Sequence, residues 1–137
     1  MTDTKTAITA ALESAFAERG FAEPGVAELR DRAGVSIRTL YKHFPSRDDM
    51  ILGALQSRHD RYLAFLFPEG REDGLDPVLE RVGRWMAENA PAGCLFHNAV
   101  AAHPDNAALR DLLGRHKAEI GERLAARAGR SELREPL

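Results

Sequence analysis

Between Ser36 and Arg47 the sequence places Arg38, Lys42, His43 and Arg47 with no Asp or Glu among them, and Ser36, Thr39 and Tyr41 add hydroxyls to the same stretch. Cations and hydroxyls on one helical face suit phosphate and sugar oxygens. An arginine fork can also take two acceptors on a guanine edge. The other groups capable of chemistry are scattered. Cys94, His97 and Asp105 share a region, but no nucleophile–base–orienter arrangement is apparent. His97 and His103 do not stand at the i, i+4 spacing that suits two metal ligands on a helix. These patterns point away from an enzyme: no catalytic residue, cofactor or metal is expected.

Bulk properties bound the answer without deciding it. The chain has 137 residues, 44% hydrophobic and 29% charged, the balance of an ordinary globular domain. Its net charge is −2, and residues 1–48 hold seven Lys/Arg and seven Asp/Glu. A basic face therefore exists only locally, enough for a handful of phosphate contacts. A single cysteine, Cys94, excludes an internal disulfide and suits a reducing compartment. The N-terminal Met-Thr-Asp-Thr-Lys-Thr lacks a signal-peptide core, and no apolar run nears the ~20 residues of a membrane span. The expected location is the cytoplasm, on the nucleoid.

Helices must position the basic stretch. Ile8, Ala11, Leu12, Ala15 and Phe16 form an amphipathic stripe that Gly20 stops as a left-handed C-cap. Pro24-Gly25 precedes a short helix carrying Val26, Leu29 and Ala33. Gly34 turns the chain, Ser36 caps a third helix with Leu40 and Phe44 inward, and Pro45 ends it. Such spacing outlines a helix-turn-helix. Ser46 starts a fourth helix of about twenty residues running to Pro68, with Ile51, Leu52, Leu55, Tyr62, Leu63, Phe65 and Leu66 as its apolar set. Asp76-Pro77 opens a fifth, with Val78, Leu79, Val82, Trp85 and Met86 inward until Pro91. A short helix spans about Gly93 to Ala102; Asp105 caps a last one through Leu109, Leu112, Leu113, His116, Ile120 and Leu124, stopped near Gly129. No strand pattern is present, so the fold class is all-α.

Ala-Gly-Val-Ser at 33–36, Thr-Leu-Tyr-Lys-His-Phe at 39–44, and Ser-Arg at 46–47 followed by Asp-Asp-Met-Ile-Leu carry a resemblance. With Phe16, Gly20-Phe21, Val26 and Leu29 in register, residues 8–55 resemble the DNA-binding domain of the TetR family of bacterial regulators. The resemblance implies an N-terminal helix-turn-helix domain over 1–46 and a helical ligand-binding and dimerisation domain over 47–137. It implies a DNA interface of Ser36, Ile37, Arg38, Thr39, Tyr41, Lys42, His43 and Arg47. In it Arg38 reads a base edge and Arg47 holds a phosphate at the start of the fourth helix. For Ile37, helical spacing favours burial with Leu40, whereas the family places this position at the DNA. The family's usual Ser or Thr before the second helix is replaced by Pro24-Gly25, and Arg30 replaces a small residue.

Further along, the resemblance implies a pocket for a small-molecule effector, with Tyr62, Phe65, Trp85, Met86, Phe96 and His97 as candidate lining. Ala-Gly-Cys-Leu-Phe at 92–96 is similar to the start of the family's sixth helix, which makes Cys94 a small buried hydrophobe. The family adds two more helices that build a homodimer, and this sequence ends around where the eighth would begin. The expected function is a DNA-binding repressor released from its operator by a ligand. The alternative is a protein-interaction or decoy subunit that pairs with a full-length helical partner.

Overall fold

In a computed structural model describing residues 3–90 and 93–134, with side chains followed to residue 129, the described residues form seven α-helices and no strand. Each of the early boundaries has a local cause. Asp3 accepts the Thr6 N–H at 2.8 Å and starts α1 (Thr4–Arg19). Gly20 ends it at φ 82° but with ψ −175°, an extended exit in place of the expected left-handed cap. The second helix, α2 (Val26–Ala33), begins at Gly25 with no side-chain cap, as the missing hydroxyl at Pro24-Gly25 dictates. It closes on Gly34 at φ 69°, ψ 30°; the Gly34 and Val35 N–H groups return to the Asp31 and Arg30 carbonyls in a Schellman arrangement. Ser36 then caps α3 (Ile37–His43), and Ser46 caps α4 (Arg47–Leu66), each accepting the N–H three residues on at 3.1 Å.

The C-terminal half departs from the sequence expectation at several helix ends. α5 (Leu75–Asn89) is capped by Gly74, two positions before the expected Asp76. Pro77 fits there because the first turn's N–H groups have no helical partner to lose. The expected stop at Pro91 lies outside the described residues; the helix has already ended at Asn89. α6 (Leu95–Ala102) starts at Cys94 and not at Gly93. The cap of α7 (Ala107–Arg134) is Asn106, whose Oδ1 accepts the Leu109 N–H at 3.1 Å, and not Asp105. Gly129 does not stop α7 either, since one glycine in a helix costs only about 1 kcal/mol.

One continuous core runs from the first helix to the last. Ile8, Leu12 and Phe16 of α1 meet Leu29, Leu40, Met50, Ile51 and Leu55, with Leu95, Phe96, Leu109 and Leu112 closing the cluster. A second cluster, Leu63, Leu66, Phe67 and Val78, holds the far end of α4 against α5. On α5 Val78, Val82 and Trp85 face inward, while Leu79 and Met86 are 48% and 56% exposed. Asp73, in the α4–α5 connection, takes Arg81 at 3.0 Å and Arg127 at 2.8 Å, tying α5 and α7 to one loop. Among the described residues no helix is long and apolar enough to cross a membrane.

Candidate nucleic-acid interface and adjoining pocket

Leu40 is completely buried and Phe44 nearly so, which fixes the inner side of α3. The helix therefore turns Ile37, Arg38, Tyr41 and Lys42 outward. Ile37 is 39% exposed, deciding its ambiguous position in favour of the outer face. Among the described residues Arg38, Tyr41 and Lys42 form no hydrogen bond or ion pair, so their polar groups remain available. Ser36 donates its hydroxyl proton to Thr39 Oγ1 at 3.0 Å while accepting the Thr39 N–H, which orients both side chains at the start of the helix. His43 is half-buried beside Asp3. The Asp3 carboxyl lies below its ordinary range, chiefly through the Thr6 backbone N–H.

Arg47 behaves differently from the expectation of a phosphate ligand. Its guanidinium points into the protein, donating to the Pro24 carbonyl at 3.0 Å and to the Phe21 carbonyl, with His103 Nε2 at 3.3 Å. It also lies over the Phe16 ring at 5.7 Å. Burial lowers its pKa from the ordinary arginine value. With its donors committed to carbonyls, this residue braces the α1–α2 corner. Arg30 pairs with its neighbour Asp31 at 3.0 Å.

Behind the three N-terminal helices, α4, α5, α6 and α7 line a cavity of ≈ 340 Å³. Of the expected lining, the structure brings together Tyr62, Trp85, Met86, Phe96 and His97. Phe65 is not among the lining residues; its ring is tilted against Trp85 at 5.6 Å, with the Arg84 guanidinium over it at 5.2 Å. Cys94 is exposed at the cavity, correcting its assignment as a buried hydrophobe. Burial pushes the Tyr62 phenol above its ordinary pKa.

Sequence reasoning missed the polar groups of this region. Arg58 lines the cavity, donates to buried Glu13 of α1 at 3.1 Å and to the Asn89 carbonyl at 2.6 Å, and lies over Trp85. Arg61 shares the same Glu13 carboxylate. His59 and His116 face each other at 2.7 Å, with Glu119 on the far nitrogen of His59 at 3.1 Å. Phe96 stacks on His116 at 3.8 Å. Burial, helped by the neighbouring His59, brings the His116 pKa down to about 4. A signal was present: Arg58 and His59 follow Ile51 and Leu55 on the inward side of α4, and Glu13 interrupts the inward side of α1. Charged residues at core positions call for partners. No group of three or more potential metal ligands occurs among the described residues.

Residues 8–54 match the family model described as bacterial regulatory proteins, tetR family. A TetR-family transcriptional regulator of known structure from Streptomyces coelicolor, SCO4454, superposes with a TM-score of 0.68 at 27% identity, over 84% of this chain and 64% of that one. The chain is similar to members of the TetR family, with the family-model match lying in residues 8–54. Its helix-turn-helix is α2–Gly34–α3, with α1 packed behind it. Among relatives, the HTH-type transcriptional repressor Rv3405c of Mycobacterium tuberculosis is 28% identical over 120 residues, 87% of this chain and 64% of its own length. The probable HTH-type transcriptional regulator ArpR of Pseudomonas putida is 32% identical over 76 residues, 56% of this chain and 36% of its own length. The chain thus spans between 36% and 64% of the length of these relatives.

Proposed function

We propose that this chain is a DNA-binding transcriptional regulator, a repressor that leaves its operator when a small molecule enters the cavity behind the head. The observation that carries the reading is the outer side of α3, where Arg38, Tyr41 and Lys42 stand exposed and without protein partners. A recognition helix needs this division between a packed side and a polar, cationic one. Arg38 would read a base edge. Ser36, Thr39, Lys42 and His43 would fix register on phosphate and sugar, and Ile37 would touch a thymine methyl. Functionally the division falls between residues 46 and 47, with the head before it and the effector-responsive body after it. Specific affinity calls for two heads on half-sites one helical turn apart, hence a homodimer.

Release requires the effector to bind the two states of the protein unequally. Arg58 supports such a coupling, since it lines the cavity and at the same time holds Glu13 on α1. Repression has the support of Rv3405c, which is named a repressor.

The test is retention of genomic DNA fragments by the protein, followed by salt titrations on the retained sequence. Arg38→Ala should relax base choice, losing roughly 1–3 kcal/mol of discrimination at one position. Lys42→Ala should weaken all sequences alike and reduce the slope of log affinity against log salt by about one. Unchanged affinity and slope in both variants would sink the reading.

A further inference from the structure

The cavity has a distinctive balance of charge. Arg58 and Lys117 contribute to its lining with the imidazoles of His97 and His116, the His116 ring being neutral down to a pH of about 4, and no Asp or Glu does. The nearby carboxylates are already engaged outside that lining. Glu13 is shared between Arg58 and Arg61, leaving a surplus of positive charge, and both guanidiniums lie over the Trp85 ring at 5.6 and 5.5 Å. Glu119 is held against His59 at 3.1 Å. Lys117 and His97, both exposed at the cavity, make no hydrogen bond or ion pair among the described residues. The remaining wall is apolar and aromatic, with Tyr62, Trp85, Phe96, Leu113 and Ile120. His116 reports the same field: beyond burial, His59, His97 and Arg58 all oppose a proton there, and only Glu119 favours one.

A cationic ligand in this space would meet like charge with no acid to answer it. A wholly apolar ligand would cover Lys117 and His97 without replacing their water, at a cost in affinity. A carboxylate satisfies both, because an ammonium and an imidazole N–H both donate to it with charge assistance. We propose that the cavity binds an apolar organic anion, its aromatic or hydrocarbon body against Trp85, Tyr62 and Phe96 and its carboxylate on Lys117 and His97. The proposal rests on the reading of this cavity as the effector site and names the chemical class of that effector.

Trp85 is the chain's one tryptophan and lines the cavity, so its fluorescence reports occupancy with no DNA present. The probes are hydrocinnamate, hydrocinnamamide and phenylpropylammonium, matched in body and differing in charge. Hydrocinnamate should bind about tenfold or more tighter than the amide, and the ammonium most weakly. Lys117→Met combined with His97→Leu should bring the carboxylate down to the amide's affinity and leave the amide unchanged. Lys117→Glu should reverse the order of carboxylate and ammonium. Both positions are exposed, so folding is preserved, and thermal unfolding checks it. Equal binding of acid and amide, tighter binding of the ammonium, a preference that survives the double variant, or no quenching by any probe would overturn the proposal. Hydrocinnamate that binds with the expected preference yet leaves the protein on its operator would uphold the pocket chemistry and count against the effector role.

Discussion

Arg47 donates to the carbonyls of Phe21 and Pro24 and covers the Phe16 ring, so its charge serves the fold from a position just after α3. Removing it strands partly buried carbonyl groups whose bonds to a charged donor are worth about 1.5–3 kcal/mol. Arg47→Ala is therefore expected to lower stability by about 2 kcal/mol in denaturant titrations, and Arg47→Lys to recover little, since lysine lacks the guanidinium fork. The salt slope of DNA binding by Arg47→Ala should match that of the unaltered chain; a slope reduced by about one would return Arg47 to the phosphates. Arg38, which has no such partners, makes the contrast. Nothing in the residue type separates the two; the difference is that Arg47 opens a helix packed against the α1–α2 corner, whereas Arg38 stands on the outer side of α3.

Local chemistry made the head legible. Ser36 and Ser46 cap helices through bonds three residues long, and the stripe from Ile8 to Phe16 lies on one side of one helix. What was not legible depended on distant or competing partners. Arg47 meets Phe21, Pro24 and His103, and Arg58 meets Glu13 and Asn89. Asp105 and Asn106 are adjacent and equally suited to capping, and only the path of the chain favours Asn106. Spacing counted Leu79 and Met86 as inward because an apolar side chain does not reveal whether a neighbour covers it. The packing between elements also sets a strict demand at Gly53 of α4. A Cβ there would stand 2.5 Å from Cε1 of the Phe44 ring, the residue that anchors the end of α3. Gly53→Ala gains about 1 kcal/mol in helix propensity but forces a buried ring to move, which costs typically 1–3 kcal/mol. The expected net effect is modest destabilisation with a displaced α3, seen as weaker operator binding by a protein that still unfolds cooperatively. A more stable variant with unchanged DNA affinity would refute this.

For the molecule as a whole, acid is the informative stress. His116 keeps a neutral ring down to a pH of about 4, against an ordinary value of 6.5. Above pH 6.5 neither the folded nor the unfolded chain protonates it appreciably, and it adds no pH dependence. As the pH falls from 6.5 towards 4, the unfolded chain takes up a proton that the native chain refuses, so stability drops across that interval. Asp73, whose carboxyl is held low chiefly by its bond to Arg81, extends the loss to more acidic solution, below its ordinary value of 3.8. Melting temperatures recorded from neutral to acid should fall through the first interval, and His116→Phe should flatten that part of the curve; an unaltered curve would show that another group is responsible. Braces also cross from α4 to the N-terminal region at two places, Arg47 at its first residue and, farther along, Arg58 with Arg61 on Glu13 of α1. A plate bolted to an axle at two separate points cannot spin upon it. Whatever tilts or slides α4 must carry α1 along, and with it the angle at which the exposed side of α3 is presented.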